Sequence, residues 1–178
     1  MNSKVRRLTT AAMLSAMAYL LMLIGRIPVV LFLKYDPKDA IIALGGFLLG
    51  PLPAALISIT VSFVEMLTAS ETGLIGFVMN VLSTCAFVLP AALFYRRKAD
   101  LKHAAMGLAA GVILMTAVML LWNWILTPIY MGYPRAAVEE LLLPVFLPFN
   151  LGKGAVNAIV TLLIFRPVSR ALRRARLI

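Results

Sequence analysis

Three polar residues, Asn150, Lys153 and Asn157, interrupt an otherwise apolar run near the C-terminal end of the sequence. Their i, i+3, i+7 spacing puts them on one face of a helix. The run Phe149-Asn150-Leu151-Gly152-Lys153-Gly154-Ala155-Val156-Asn157 follows Pro148 and continues through Phe165 to a basic tail that begins at Arg166. At about 1.5 Å of rise per residue, Lys153 lies roughly 20 Å from Arg166, inside a hydrocarbon layer about 30 Å thick. An ammonium group at that depth costs roughly 3 kcal/mol or more unless it is paired or wetted. Two amides and a cation on one face can hydrogen-bond the carbonyls and hydroxyls of a small polar molecule. The competing readings are a lysine that snorkels to the interface and one held by a structural partner.

Other polar residues belong at a similar depth once the helices are laid out. Asn123 sits between Trp122 and Trp124, Glu65 lies near the end of the third apolar segment, and Asn80 lies early in the fourth. Trp122 and Trp124 also suit interfacial anchors, Asn80 a helix–helix hydrogen bond, and Glu65 a place at the membrane interface. Together the set offers amides, a cation, a carboxylate and aromatic rings. It suits a flat, uncharged or anionic molecule rich in hydroxyls or carbonyls.

Catalysis finds little support. No Ser or Cys stands beside a plausible His base, no carboxylate-rich motif serves metal-assisted phosphoryl transfer, and HExxH is missing. The single His103 excludes a multi-His metal site, and the single Cys85 excludes an intramolecular disulfide. Gly45-Gly46-Phe47-Leu48-Leu49-Gly50 lacks the strand context and the Lys of a nucleotide loop, so it reads as close helix packing. The expectation is a binding protein, not an enzyme, with no metal and no cofactor.

The elements that must position these groups are membrane helices. Of 178 residues, 62% are hydrophobic and 13% charged, with a mean hydropathy of +0.98; this is an integral membrane composition. Six spans are predicted: about 9–27, 37–49, 51–67, 73–95, 104–126 and 149–165. The first resembles a signal peptide but is longer and precedes further spans, so it reads as a retained helix. Pro28 ends it, and Val29 to Leu33 form a short β-prone stretch before Asp36-Pro37, read as cap and first turn of the second helix. A long connection, rich in Pro and Tyr, runs from Thr127 to Pro148.

The fold class is therefore an all-α membrane protein of six helices, one domain over residues 1–178, with both termini on one side. Lys4, Arg6, Arg7, Arg96, Arg97, Lys98, Lys102, Arg166, Arg170, Arg173, Arg174 and Arg176 fall on that side, which the positive-inside rule makes cytoplasmic. Asp36, Asp39, Glu71, Glu139 and Glu140 fall on the other. Topology and anionic lipid account for the net charge of +10 without nucleic acid.

In the first span, Ala12 and Ala16 with Ser15 make a small-xxx-small strip that admits another helix closely, either within the bundle or from a partner. This strip, the run Phe32-Leu33-Lys34-Tyr35-Asp36-Pro37-Lys38-Asp39-Ala40, the turn Gly46-Phe47-Leu48-Leu49-Gly50-Pro51, Asn123 and Asn150-x-x-Lys153 occur in an order that resembles a known family. It is the S components of energy-coupling factor vitamin transporters, most closely the riboflavin-binding type, and the likeness covers nearly the whole chain. The resemblance implies a plasma-membrane, six-helix substrate-binding subunit whose outward pocket is closed by the loop between the first two helices. It implies riboflavin held by Asn123, Asn150 and Lys153 with backbone groups of Leu31, Phe32, Leu33 and Lys34; Glu65, Asn80 and Trp124 join the candidate site by their depth alone, and Glu65 departs from the family's usual third helix. It also implies a transmembrane coupling subunit, meeting Ala12 and Ala16, and two cytoplasmic ATPases. An S component for another vitamin or a flavin nucleotide, and a non-transport assembly factor or lipid-headgroup enzyme, are the alternatives.

Overall fold

The computed structural model of the protein describes residues 3–31, 33–70, 72–132 and 134–174. Phe32, Glu71 and Arg176, named above, lie outside the described residues. The chain is almost entirely helical. Helix α1 (Ser3–Gly25) leads into an antiparallel hairpin of β1 (Ile27–Val30) and β2 (Leu33–Tyr35), and α2 (Lys38–Leu49) and α3 (Pro51–Thr68) follow. After α4 (Gly73–Arg97) and α5 (Leu101–Met131), a short α6 (Arg135–Leu141) and a π-helical turn (Leu142–Phe146) feed α7 (Leu147–Arg174).

The stretches Lys4–Gly25, Pro51–Thr68, Gly73–Arg97, Leu101–Ile129 and Arg135–Leu172 are long and apolar enough to cross a membrane. The expected second span is different. Its 12 residues rise only about 18 Å, short of a hydrocarbon layer about 30 Å thick. Helix α2 is instead the centre of the bundle, buried along its length apart from Leu48. Being apolar on every side, it can be surrounded by other helices. Ile41, Ile42, Leu44 and Phe47 pack with Leu14 and Ala18 of α1, Ile57 and Val61 of α3, Phe87 and Val88 of α4, and Leu108 and Met115 of α5. Large apolar side chains outside this core, such as Ile24, Leu52, Ile113 and Leu163, are exposed on the bundle surface. That distribution suits a lipid solvent.

Two glycines explain how short helices fit together. Gly50 takes φ +99° between α2 and α3, a conformation that lets Pro51 start the next helix after a sharp reversal. Gly111 brings α5 onto α4 so closely that a Cβ would stand 2.1 Å from the Phe87 carbonyl oxygen, the close approach that small residues permit in membranes. At its start, α5 is capped by Asp100, whose carboxylate accepts from the His103 backbone N–H at 2.7 Å. That bond, and a second to the His103 ring, hold the Asp100 carboxyl below its ordinary range.

Two local expectations change. Asp36 does not cap α2: Pro37 occupies the N-cap position without a side-chain bond, while the Asp36 carboxylate turns to Lys38 at 3.6 Å. The buried Lys38 ammonium needs carboxylates beside it, and Asp36 supplies one. The connection from Thr127 to Pro148 is mostly helical, because α5 runs on to Met131 and α6 and the π turn fill the rest. Internal helical bonds satisfy its backbone where water is scarce.

Candidate functional site

At the end of the bundle opposite Ser3 and Arg174 lies a cavity of about 160 Å³. Leu33, Lys34, Glu65, Asn80, Asn123, Asn150 and Lys153, drawn from five different elements, all line it. Residues as far apart in sequence as Leu33 and Lys153 thus meet because alternate helices run in opposite directions. Helices α3 and α5 end here, while α2, α4 and α7 begin here.

The two deepest amides are pre-set by their own helices. Asn123 donates through Nδ2 to the Met119 carbonyl at 2.7 Å and accepts from Thr127 Oγ1 at 3.1 Å. Asn150 donates to the Phe146 carbonyl at 2.7 Å. That acceptor lies at the π-helical turn, where a widened helix leaves carbonyls for side chains. Each amide retains a second hydrogen for another acceptor. Asn157, on the same face of α7, is buried elsewhere: it accepts from the Tyr35 hydroxyl at 3.2 Å and donates to the Asp36 carbonyl at 3.4 Å. Its work is to fasten the hairpin's base to α7.

Lys153 has a structural partner and also faces the cavity. Its ammonium stands 3.4 Å from Asp39 Oδ2, and Asp39 in turn accepts from Thr84 Oγ1 at 2.6 Å. Glu65 is buried and engaged on both oxygens: Arg26 and Asn80 donate to Oε1, Asn80 at 3.2 Å, while Lys38 donates to Oε2. Arg26 also donates to the Ala69 carbonyl at 3.2 Å. The result is a neutral set, with Arg26, Lys38 and Lys153 against Asp36, Asp39 and Glu65. Such charges persist in a dry bundle only when paired and hydrogen-bonded.

Sequence reasoning missed Arg26, Asp36, Lys38 and Asp39 as site residues. By sequence all four fall at the outer side of the membrane, Arg26 at the end of the first span and Asp36, Lys38 and Asp39 at the start of the second. The available signal was Lys38-Asp39 directly before an all-apolar helix too short to span: a buried helix carries its first turn inward with it. Asp36 Oδ1 and Arg26 Nε are buried without a protein partner, and both residues line the cavity. A buried acceptor and donor of this kind are satisfied by water or a ligand.

The structure does not bring every nominated residue here. Leu31 lies at the hairpin turn with φ +51° and is exposed. Trp124 is turned away from the cavity; its indole Nε1 donates to Glu139 at 2.9 Å and its ring lies 4.9 Å beneath the Arg135 guanidinium, which ties α5 to α6. An amphipathic indole near an interface takes polar partners outside the bundle when they are supplied.

The family model for the ECF transporter substrate-specific component matches residues 6–165 of the chain. The chain belongs to this family. It is 30% identical over 178 residues to the riboflavin transporter RibU of Staphylococcus aureus (strain TCH60), covering 95% of this chain and 93% of that one. It is 29% identical over 175 residues to the riboflavin transporter FmnP of Bacillus subtilis (strain 168), covering 91% of each. A solved structure described as the S component of a bacterial ECF transporter superposes with a TM-score of 0.80 at 28% identity, over 95% of this chain and 98% of that one. As a substrate-specific component, the protein is a multi-pass membrane transport subunit. Its Ala12 and Ala16 are both exposed on the outer face of α1, so packing inside this bundle is not their role.

Proposed function

We propose that this S component captures riboflavin from outside the cell and hands it to an ATP-driven coupling module. The observation that carries the choice of ligand is the mixed wall of the cavity. Arg26 and Lys153 are matched by Glu65 and Asp39, Lys34 adds a further cation, and the amides of Asn80, Asn123 and Asn150 and the apolar Phe149 and Met119 share the lining. An uncharged tricyclic ring with carbonyls and a hydroxylated side chain matches amides, paired charges and apolar walls together. A strongly anionic ligand would find Arg26 and Lys153 already paired with carboxylates. Names of the relatives point the same way.

In this reading Asn123, Asn150 and Lys153 hydrogen-bond the ligand, and Leu33 and Lys34 of the hairpin cover it. Asn80 and Glu65 support the wall, with Glu65 held by Arg26 and Lys38 and not by the ligand. Residues 1–178 act as one domain that crosses the plasma membrane six times, with α2 as the second, short crossing and both termini in the cytoplasm. The exposed Ala12 and Ala16 meet the transmembrane coupling subunit, behind which two ATPases supply the energy. The subunit itself performs no chemistry.

Titrating the purified subunit with riboflavin while following flavin and tryptophan fluorescence tests the reading. Saturable, stoichiometric quenching is expected, with flavin mononucleotide binding more weakly. No quenching, or stronger binding of the nucleotide, would reject riboflavin as the ligand.

A further inference from the structure

The opposite end of the bundle carries a second built feature. Between the C-terminal ends of α2 and α4 and the last turns of α7 lies a cleft of about 610 Å³. Its floor is a cluster of three rings: Phe47 and Tyr95 have centroids 4.8 Å apart, and Phe165 stands 5.5 Å from each. Its rim carries Arg166 and Arg170, one helical turn apart on α7. Neither makes an ion pair among the described residues, and no carboxylate lines the cleft. Between them the Ser169 hydroxyl also lines the cleft, and its oxygen is buried without a hydrogen-bond partner.

We propose that this cleft binds an anionic phospholipid, with the headgroup phosphate on Arg166, Arg170 and Ser169. Two guanidiniums and a hydroxyl converging on one space match a phosphate's oxygens in number and geometry. Ser169 separates this arrangement from a merely basic helix end, because a solvated positive surface has no need of a buried, unpartnered hydroxyl. The aromatic floor favours a lipid over a free anion. The half-buried Leu48 lines the cleft beside these rings, so an acyl chain leaving the headgroup meets an apolar surface. Basic pockets between membrane helices are suited to such headgroups. The surroundings reinforce the sign: Arg7 and Arg96 line the neighbouring cleft, and the nearby Asp100 is engaged by His103.

The purified subunit in an uncharged detergent is titrated with dioleoylphosphatidylglycerol or dioleoylphosphatidylcholine and read by native mass spectrometry. The first lipid is retained and the second is not. R166Q/R170Q weakens retention at least tenfold, whereas K98Q/K102Q, an equal charge change at the same end but outside the cleft, changes it less than twofold. Equal losses in the two variants would mean diffuse attraction and overturn the site. Millimolar inorganic phosphate leaves the lipid in place; displacement by phosphate would make this a free-anion site and overturn the lipid assignment. S169F fills the cleft without altering charge and also lowers retention. Unchanged retention in S169F would place the lipid elsewhere. Unfolding midpoints without lipid identify a variant that fails to fold, in which case the remaining variant decides.

Discussion

Glu65→Gln is the sharpest probe of how the site is held together. Glu65 is 2% exposed and accepts from Arg26, Lys38 and Asn80. The substitution keeps the shape but removes the charge. Lys38, whose side chain is 0% exposed, is left with Asp36 at 3.6 Å as its nearest carboxylate, and the neutral set gains a net positive charge. Breaking a buried pair from one side costs about 3–5 kcal/mol, a large part of a typical folding stability of about 5–15 kcal/mol. At about 2–4 °C per kcal/mol for a chain of this size, the unfolding midpoint falls by roughly 6–20 °C. Removing both charges, in Lys38→Met/Glu65→Gln, restores neutrality and leaves Arg26 its bond to Ala69. The double variant therefore recovers at least half of the single variant's loss. Thermal unfolding of the purified subunit in detergent, run as a double-mutant cycle with Lys38→Met, measures this coupling. Strictly additive losses would refute the pairing argument, as would a Glu65→Gln midpoint within 2 °C of the parent at this sensitivity.

Three further outcomes follow from the same geometry. Lys153→Met and Asn150→Ala each weaken riboflavin binding by about tenfold or more, from loss of a buried hydrogen bond worth about 1–3 kcal/mol; calorimetry giving parent affinity for both would remove them from the site. Amide exchange across residues 29–36 slows when riboflavin is bound, and equal protection with and without ligand would count against the hairpin as a cover. Ala12→Trp or Ala16→Trp abolishes ATP-driven uptake into vesicles holding the whole transporter, yet leaves binding to the isolated subunit within about twofold. Loss of both properties would place the strip's role inside the subunit.

The long spans were legible because a 3.6-residue helix in lipid needs only length and apolarity. The two amides and Lys153 were legible because a polar group at membrane depth is costly enough to demand a reason. Helix α2 was harder. A 12-residue apolar run reads as a short span by composition, and only the three-dimensional bundle reveals that it is surrounded by protein. Composition alone leaves Lys38 and Asp39 as outer-side charges at the start of that span, and the ion network stays hidden with them. Glu65 was noticed, but its partners could not be, since Arg26 lies 39 positions away and Lys38 27. Partner choice over such spans depends on helix rotation and register, which apolar periodicity constrains weakly when both lipid-facing and core-facing sides are apolar. The residues around Leu31 show the same limit at short range, because strand alternation could not say which hairpin side chains turn inward.

These details also decide which part of the site can yield. A volume of about 160 Å³ is below the roughly 300–1,000 Å³ of ordinary ligand pockets, so binding a three-ring molecule requires some wall to move. The helical walls resist. Asp39 of α2 is joined to Thr84 of α4 and Lys153 of α7, and Lys38 of α2 to Glu65 of α3, which also holds Arg26 at the end of α1. Moving any one of these helices separates buried charges. The hairpin is held differently. All four residues of β1 are exposed, and the two strands have no third strand beside them, an arrangement of marginal stability alone. Leu33 packs against Val138 and Phe146, and Tyr35 reaches Asn157. The anchor at Tyr35 lies at the hairpin's base, and the apolar contact of Leu33 is of a kind that can be broken and remade without separating buried charges. The hairpin is therefore the wall whose displacement leaves the ion network, and with it the amides of Asn123 and Asn150, in place.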